Sequence, residues 1–356
     1  MPVSISGTNG VTFPDSSLQA AAASPYVLKN RIINGDMRID QRNNGASFAG
    51  GGYSLDRWLS GLSTNAWTSQ RSTNAPAGFV NSLLVTVTTP QAPGTTNLAY
   101  YSQKIEGFNI ADLNFGTANA ATVTLSFWVR SSVTGTFSIA LLNGAQNRSY
   151  VATYTINAAN TWEKETITIT GDTTGTWNTN NTAGLEVFFD LGSGSNFQAT
   201  AGSWQAGTFL RTSGSSNFAN TSGATFSFTG VQLEAGNTAT SFDFRPYGTE
   251  LMLCQRYCVV LGGDASEFNG YAFATNNSVI SIPFPTTVRT PPSGITTSGQ
   301  WVGYNSSNVV NNTTLTFNTS GFTQCSLLAP FTATAGTPSR ISANNVARII
   351  FNGMEL

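Results

Sequence analysis

Carboxylates are the side chains of this sequence best suited to carry catalysis. The chain contains no histidine, which excludes Ser-His-Asp and Cys-His catalysis as well as histidine-ligated metal sites. Glycosidases place two Asp or Glu residues on either side of the scissile bond. The candidates that lie in one stretch of sequence are Glu163, Glu165, Asp172, Glu186 and Asp190. Their spacing singles out no pair, so we interpret them as solvated or turn-forming residues and expect no enzyme.

Tryptophans in polar surroundings are the candidate ligand-binding residues. An exposed indole plane can stack on a sugar ring, while Asn and Gln side chains bond the sugar hydroxyls. Tryptophans with Gly- and Thr-rich neighbours are Trp67, Trp162, Trp177, Trp204 and Trp301. Packing in a core or a subunit interface is the alternative for each of them. We place the candidate glycan site on Trp177, Trp204 and Trp162, because residues 172–177 have the composition of a loop.

Metal and thiol chemistry have less support. A calcium ion needs six to eight oxygen ligands, and no single loop supplies them, although Asp36, Asp40 and Asp56 could contribute. We therefore expect no metal and no cofactor. An odd number of cysteines cannot pair completely within one chain. We expect free, buried thiols at Cys254, Cys258 and Cys325.

Composition limits the partners of the chain. Charged residues make up 9% and the net charge is −1, which argues against nucleic acid because phosphate contacts need clustered Lys and Arg. No apolar run approaches the roughly 20 residues that span a bilayer, so we expect no membrane insertion. Hydrophobic residues make up 40%, enough for a folded core. The polar surface must come from Asn, Ser, Thr, Gln and Gly, as is common in proteins that work outside cells.

Alternation of apolar and polar residues predicts an all-β fold. Residues 122–129 alternate with a period of two, as a half-buried strand does. Residues 137–141 repeat the pattern and lead into Asn143-Gly144, a dipeptide favoured in tight hairpins. The alternation changes parity at Gly230, which predicts a bulge or bend there. Many short strands joined by Gly, Asn and Thr turns are typical of a jelly roll or β-sandwich.

Four segments follow from these patterns. One short helix is predicted at residues 249–258, where Leu251, Cys254 and Cys258 would fall on one face. We also expect Asp56-Arg57 and Asp243-Arg245 to hold strand ends through ion pairs. The predicted segments are an N-terminal attachment or trimerisation segment at 1–29, a jelly-roll β-sandwich at 30–248, a short helical connector at 249–258 and a smaller C-terminal β-sandwich at 259–356.

Several stretches resemble sequences of bacteriophage tail fibres and related virion proteins. They lie in the order that such proteins show and cover less than a third of the chain. Trp58 ends one of them and is predicted to lie in the core. The stretches are Val11–Gln19, Asn30–Arg42 followed by Tyr53–Trp58, Gly230–Gly236 continuing through Thr240–Phe242 and Arg245–Pro246 to Glu250–Tyr257, and the ending Met354–Leu356.

The resemblance implies an architecture and a location. In similar proteins the second and third stretches bracket a jelly roll like that of carbohydrate-binding modules. The resemblance also implies a homotrimer in the virion, with phage tail or baseplate proteins as partners. Synthesis in the host cytoplasm and release by lysis would explain an extracellular type of composition without an evident signal peptide. Candidate oligomer or virion contacts are Val11, Phe13 and Leu18, with packing inside one chain as the alternative for Phe13.

Three hypotheses about function follow. The first is a trimeric, non-enzymatic tail fibre that attaches to the virion and contacts the host surface, with glycans as candidate ligands. The second is a capsid decoration or baseplate protein that binds no ligand. The third is a polysaccharide depolymerase, which would use the carboxylates named above.

Overall fold

The computed structural model shows a chain built almost entirely from β-strands, with one α-helix in the described part. All pairings between the named strands are antiparallel. The all-β prediction is therefore confirmed. The structure describes residues 4–6, 10–12, 18–19, 28–64, 66–92, 94–263, 266–274, 277–305, 309–310, 313–330, 335–343 and 347–356.

The N-terminal segment contains a small sheet of three strands. These are β1 (Ser4–Ser6), β2 (Gly10–Thr12) and β3 (Leu18–Gln19), in the order β1-β2-β3. Val11 lies in β2 and Leu18 in β3, where Leu18 pairs with Thr12. Phe13 lies outside the described residues. A role for these three residues in oligomer or virion contact stays a prediction.

The large domain is a sandwich of a six-stranded and a seven-stranded sheet. The six-stranded sheet has the order β13-β10-β16-β8-β7-β4, and the seven-stranded sheet has the order β15-β12-β11-β14-β9-β6-β5. The strands are β4 (Phe48–Ala49), β5 (Gly52–Leu55), β6 (Trp58–Leu62), β7 (Trp67–Ser72), β8 (Ser82–Val87), β9 (Ala99–Glu106), β10 (Val123–Ser131), β11 (Gly135–Asn143), β12 (Arg148–Ile156), β13 (Glu163–Ile169), β14 (Ala183–Asp190), β15 (Trp204–Ala206) and β16 (Thr225–Ala235).

Aromatic side chains fill the space between the two sheets. The ring of Phe127 in β10 lies 5.0 Å from that of Phe189 in β14, and Phe189 stacks on Phe228 of β16 at 4.6 Å. Trp58 is fully buried and contacts both Phe189 and Phe228, which confirms its predicted place in the core. Each such apolar side chain contributes roughly 1.5–3 kcal/mol by leaving water. The alternating pattern of the sequence therefore marks the inner faces of a sandwich.

A bulge interrupts the pairing of β10 with β16 at the predicted position. Ser126 lies opposite Gln232 and Trp128 lies opposite Thr229, so two residues of β16 face the single residue Phe127. Gly230 is one of the two and has a φ of 62°. A side chain there would collide with the ring of Phe79, 2.6 Å from an ideal Cβ. The bulge prediction is confirmed, and only glycine fits both the conformation and the space.

The connection after β11 differs from the predicted tight hairpin. The ladder between β11 and β12 ends at Leu142 opposite Ser149, and the four residues 144–147 connect the two strands. The Asn143 Oδ1 accepts the backbone N–H groups of Asn147 and Arg148, each at 3.0 Å. The asparagine thus organises a longer loop with its side chain, as Asx turns do. The sequence dipeptide predicted a turn correctly but not its length.

The α-helix lies between the two β domains and is displaced from the predicted range. Helix α1 spans Tyr247–Gln255, so it begins two residues earlier and ends three residues earlier than 249–258. Pro246 precedes its first residue, a position where the missing N–H and fixed φ of proline suit a helix start. Cys258 lies beyond the helix, although its N–H still donates to the Cys254 carbonyl at 3.0 Å.

The C-terminal domain is a smaller sandwich of a three-stranded and a seven-stranded sheet. The sheet orders are β17-β26-β20 and β22-β21-β25-β18-β19-β24-β23. Phe284 and Phe351 meet in its core with ring centroids 5.0 Å apart. The strands are β17 (Val260–Gly262), β18 (Glu267–Ala274), β19 (Asn277–Pro283), β20 (Gly294–Ser298), β21 (Trp301–Asn305), β22 (Val309–Val310), β23 (Thr316–Ser320), β24 (Gln324–Ala329), β25 (Pro338–Ala343) and β26 (Arg348–Asn352).

Candidate functional site

Two stretches that are about 200 residues apart in sequence are interlocked by backbone and amide hydrogen bonds. We call residues 30–58 the first motif stretch and residues 230–258 the second motif stretch. The Asn30 Nδ2 donates to the Val231 carbonyl at 3.0 Å, and its Oδ1 accepts the Leu233 N–H at 3.1 Å. The Val231 N–H donates to the Gly35 carbonyl at 2.9 Å. An ideal Cβ on Gly35 would lie 2.2 Å from the Val231 carbonyl oxygen, so the close approach requires glycine.

Asn34 is the centre of this interlocked region. It is fully buried and has a left-handed φ of 57°. Its Nδ2 donates to the Ile39 carbonyl at 2.8 Å and to the Asp56 carbonyl at 2.9 Å, and its Oδ1 accepts the Ile39 N–H at 2.9 Å. Its carbonyl accepts the Trp58 indole N–H at 3.0 Å. One side chain therefore satisfies three buried backbone groups that would otherwise lose their hydrogen bonds.

Arg245 and Glu250 bring the second motif stretch onto the first. The Arg245 guanidinium donates to the carbonyls of Asn30 and Ile32 and contacts both carboxylate oxygens of Glu250 at 3.3 Å. Glu250 lies in α1 and also accepts the Asn34 N–H. Burial raises the pKa of Glu250, and Arg245 offsets part of that rise. The predicted ion pair between Arg245 and Asp243 is present as well, at 3.5 Å.

A cluster of charged residues joins these stretches to the C-terminal residues. We call Arg42, Arg57, Glu106, Arg256, Arg289 and Glu355 the junction cluster. The Glu355 carboxylate accepts Arg42 Nη2 at 2.9 Å and Arg57 Nη1 on its other oxygen. The Arg57 guanidinium is buried and lies 3.7 Å from the ring centroid of Tyr257. Burial by itself would lower the pKa of Arg57, but the Glu355 carboxylate makes the net change a rise.

The expected ion pair between neighbouring Asp56 and Arg57 does not form. Asp56 instead lies 3.4 Å from Arg42, and Arg57 pairs with Glu355. Arg57 has a φ of 72°. Since this left-handed backbone is costly for a residue with a Cβ, the surrounding contacts must hold it there.

Glu106 at the end of β9 provides the second anion of the junction cluster. Its carboxylate accepts hydrogen bonds from Arg256 Nε at 2.9 Å, from Arg256 Nη2 at 2.6 Å and from the Tyr257 hydroxyl at 2.6 Å. Burial alone would raise the pKa of Glu106, but these donors lower it below its ordinary value. Such a two-pronged arginine–carboxylate pair fixes orientation as well as distance.

Arg289 makes contacts from the C-terminal domain to the large sandwich. Its Nε donates to the Met354 carbonyl at 2.9 Å and its Nη2 to the Glu355 carbonyl. Its Nη1 donates to the Asn181 carbonyl at 3.2 Å. A single side chain thus connects the C-terminal residues, the C-terminal domain and a loop of the sandwich.

Asp56 gives this region a testable pH dependence. Burial raises its pKa from 3.8 to about 6, and Arg42 and the Gln41 N–H lower it only in part. Between pH 4 and 6 the folded chain therefore keeps a proton on Asp56 that the unfolded chain has released, so stability falls as the pH rises. We expect this residue to lower the free energy of unfolding by up to about 3 kcal/mol across that window.

Urea unfolding at several pH values checks this expectation. Other buried carboxylates titrate too, so the informative quantity is the difference between the wild-type chain and the Asp56→Asn variant. The variant should show a shallower decrease of stability from pH 4 to 6.5. Parallel pH curves for the two proteins would show that Asp56 is not protonated in the folded state.

The cysteines and the proposed calcium ligands have structural surroundings. Cys254, Cys258 and Cys325 are free and buried, as predicted, and burial raises the pKa of each thiol, so their thiolates are scarce at neutral pH. Asp36 pairs with Arg38, and Asp40 accepts the N–H groups of Asn43 and Gly45. Within the residues that the structure describes, no group of three or more Cys, Asp or Glu side chains is close enough to hold a metal ion.

The carboxylates nominated for glycosidase chemistry make hydrogen bonds that serve the fold. Asp172 binds Arg148 through two bonds of 2.7 and 2.8 Å. Glu163 accepts the N–H groups of Asn157 and Ala158, and Asp190 accepts those of Gly192 and Ser193. Glu186 accepts Gln146 Nε2 at 3.0 Å. Glu165 is half-buried, and burial raises its pKa.

The candidate sugar-binding tryptophans are only partly brought together. Trp177 and Trp204 meet with perpendicular rings 5.3 Å apart, and Phe115 contacts both. Trp177 is only 8% exposed and belongs to the sandwich core, so the expectation of an exposed plane at this position is wrong. Residues 172–177 do form a loop, but the loop folds its tryptophan inward. Trp204 is half-buried and its Nε1 donates to the Thr170 carbonyl at 2.7 Å.

Trp162 lies at the opposite end of β13 from Thr170, so about 25 Å of strand separate it from Trp204. It is half-buried and donates to Asn74 Oδ1 at 3.1 Å. Trp67 and Trp301 are buried in the cores of the two domains. The three nominated tryptophans therefore do not form one surface, and sugar binding by Trp204 or Trp162 stays a prediction.

Comparisons with known proteins give remote structural likenesses. No protein-family model matches the chain, and no curated protein matches it. The enzymatically active domain of tailspike protein 4 from bacteriophage CBA120 is 16% identical with a TM-score of 0.33; the match covers 60% of this chain but 22% of that one.

Two further solved structures are similar at the same level. A putative sugar-binding protein from Bacteroides thetaiotaomicron is 10% identical over 58% of this chain and 100% of that chain, with a TM-score of 0.35. A family 11 carbohydrate-binding module from Clostridium thermocellum is 12% identical over 54% of this chain and 98% of that chain, with a TM-score of 0.27. TM-scores this low assign no function, and the sandwich fold described above depends on the strand pairing of this chain alone.

Proposed function

We propose that this chain is a trimeric, non-enzymatic structural subunit of a bacteriophage tail fibre that attaches to the virion and contacts glycans on the host surface. The observation that carries the proposal is the contact between the two motif stretches and the junction cluster. The second and third stretches that resemble virion proteins, together with Met354–Leu356, meet around buried polar groups between the two β domains. Four of the six members of the junction cluster, Arg42, Arg57, Arg256 and Glu355, thus lie in stretches that support the resemblance, and a structural subunit needs such contacts to hold its domains together.

The junction cluster supports a mechanical role. A projecting fibre must keep its domains in a fixed orientation, and arginine–carboxylate pairs are directional. Arg57 and Glu106 are each 1% exposed, so their contacts are protected from competition by water. Buried charged groups often add little net stability but make wrong arrangements costly, because an unpaired buried charge is strongly unfavourable. We infer that the cluster selects one arrangement of the two domains.

The hydrogen bonds of the nominated carboxylates support the absence of catalysis. A general acid and a nucleophile must both reach substrate. Asp172 and Asp190 are 2% and 1% exposed and use their oxygens for internal donors. Glu186 is 1% exposed as well. A chain that engages its carboxylates in this way is better suited to structure than to hydrolysis.

The surface composition supports contact with glycans. Charged residues make up only 9% of the chain, so neutral amide and hydroxyl groups supply most of its polar side chains, and both groups exchange hydrogen bonds with sugar hydroxyls. Among the described residues, no helix combines the length and the apolarity needed to cross a bilayer. Attachment to the virion is assigned to the N-terminal segment, where Val11, Phe13 and Leu18 are the candidate contacts.

Static light scattering of the purified full-length chain tests the trimer. We expect a mass about three times the 37.5 kDa of one chain. The double variant Phe13→Ser, Leu18→Ser should give the single-chain mass, because a cyclic assembly buries the same residue once in each subunit. Phe322→Ser, which changes a 51% exposed residue elsewhere, is the control and should remain trimeric. A single-chain mass for the unaltered protein would refute the trimer.

Two assays separate the proposal from its alternatives. Purified protein should bind host cells, whereas a capsid decoration or baseplate component without a ligand would not. Incubation with host polysaccharide should release no reducing sugar. Reducing ends that appear with the protein and disappear in a Glu186→Gln or Asp172→Asn variant would instead identify a depolymerase.

A further inference from the structure

A groove lies where the first motif stretch, α1 and the C-terminal domain meet, and it is lined by polar side chains. Its volume is about 330 Å³. Tyr247, Leu251 and Gln255 of α1 form one wall, since residues four apart lie on the same helix face. Gln41 and Asn44 of the first motif stretch also line the groove. We call this space the junction groove.

The junction groove contains arginines without acidic partners. Arg71 of β7 and Arg348 of β26 both line it. Arg71 Nη1 donates to the Arg38 carbonyl at 2.9 Å, and Arg348 Nη1 approaches the Gln41 carbonyl at 3.4 Å. Neither guanidinium has an ion pair with any residue of the described ranges, so most of their five donors are available.

One carboxylate also lines the groove but is already engaged. Asp40 accepts the Asn43 N–H at 3.0 Å and the Gly45 N–H at 2.6 Å. Its oxygens therefore serve the loop of the first motif stretch. The lining has an excess of positive charge in a chain whose net charge is −1, so the groove favours an anionic group.

The elongated shape of the groove and its exposed tyrosine favour a saccharide that bears the anionic group. A second cavity of about 460 Å³ shares Arg71 and Tyr247 with the groove and extends it past Arg38 and Asn81. Tyr247 is 56% exposed, and a ring face of this kind can stack on a pyranose. Gln41, Asn44 and Gln255 offer amide donors and acceptors for hydroxyls.

A nucleic acid fits the groove less well. It would need a row of cations that follows its phosphates. The third arginine along the extended groove, Arg38, is paired with Asp36. The available positive charge is therefore local and matches one anionic substituent better than a charged backbone.

We propose that the junction groove binds an acidic saccharide, with Arg71 and Arg348 on its carboxylate or phosphate and Tyr247 under a sugar ring. This inference depends on the proposed host-contact function and names the ligand class and the site. It places recognition at the domain junction rather than on the tryptophans of the sandwich.

Titration calorimetry with the full-length chain tests the inference. The probes are oligosaccharides that carry a hexuronic acid, a sialic acid or a sugar phosphate, each paired with its methyl-esterified, desialylated or dephosphorylated form. We expect at least one acidic probe to bind and its neutral counterpart to bind about tenfold more weakly or worse. The carboxylate and phosphate pairs show which anion is preferred. Binding should weaken as salt is raised, since the groove is open to solvent.

Variants locate the site. Arg71→Gln and Arg348→Gln should each weaken the acidic probe about tenfold without affecting its neutral counterpart. Tyr247→Ala should weaken both forms, and it changes an exposed side chain, so it keeps the test valid even if an arginine variant fails to fold. Arg340→Gln is the matched control, because Arg340 is 44% exposed and lies outside the groove; it should bind like the unaltered chain.

Several outcomes would overturn the inference. They are equal affinity for acidic and neutral probes, no binding of any acidic probe, unchanged affinity in Arg71→Gln and Tyr247→Ala, or a single-stranded oligonucleotide that binds more tightly than every saccharide. Adhesion to host cells separates this failure from that of the proposed function. If the unaltered chain and Tyr247→Ala adhere equally, the groove is not the site but the host-contact function remains. If the unaltered chain does not adhere, the host-contact function itself is wrong.

Discussion

Glu355→Gln is expected to lower the free energy of unfolding by about 3–5 kcal/mol. Glu355 provides the carboxylate for both Arg42 and Arg57, and the Arg57 side chain is 1% exposed. Removing the negative charge leaves the Arg57 guanidinium buried against the Tyr257 ring and the Lys104 carbonyl. A cation–π contact and one carbonyl do not replace an ion pair for a buried guanidinium.

The matched control for this variant is an exposed ion pair in the same chain. Glu267 lies 3.0 Å from Arg340, and the two side chains are 46% and 44% exposed. Glu267→Gln should therefore change the free energy of unfolding by about 1 kcal/mol or less. Urea titration followed by tryptophan fluorescence measures both variants. If Glu355→Gln costs no more than Glu267→Gln, the junction does not stabilise the fold in the way described.

Asn34→Ala is expected to lower the free energy of unfolding by at least about 4 kcal/mol. The change removes hydrogen bonds to the Ile39 N–H, the Ile39 carbonyl and the Asp56 carbonyl, all in a buried region. Each buried polar group left without a partner costs about 1–3 kcal/mol, and alanine in the left-handed conformation adds about 1–2 kcal/mol. The loss should also loosen the indole N–H contact of Trp58.

Asn160→Ala separates the backbone contribution from the hydrogen bonds. Asn160 has nearly the same φ, 56°, but it is exposed and its side chain has no hydrogen bond among the described residues. Its replacement should cost only the conformational part, about 1–2 kcal/mol. Thermal and urea unfolding of the two variants give the comparison. If the two variants lose free energies of unfolding that differ by less than about 1 kcal/mol, the hydrogen bonds of the Asn34 side chain do not hold the interlocked region together.

The sandwich could be predicted from sequence because its signal is local. Alternation over residues 122–129 and the parity change at Gly230 depend only on neighbouring residues, and both correspond to structure. Element ends were less accurate. The helix begins after Pro246, where the predicted range began two residues later, and the Asn143 side chain extends its loop beyond two residues. Such ends depend on side-chain hydrogen bonds that periodicity does not show.

The junction could not be predicted because its partners are distant in sequence. Glu355 is 313 residues from Arg42 and 298 from Arg57. One signal was present: seven charged residues lie between positions 30 and 58, in a chain with 9% charged residues. Trp177 shows the converse error. Its neighbours in sequence are polar, but the residues that bury it, Phe115 and Trp204, come from other segments.

Electron cryomicroscopy of phage particles purified from the host that produces this chain tests the proposed assignment as a trimeric tail fibre subunit most directly. The reconstruction should show three copies of the two-domain chain together on the tail, with the N-terminal segments at the virion and the β domains projecting outward. Density for the chain on the capsid surface, a stoichiometry other than three per fibre, or its absence from purified particles would contradict that assignment.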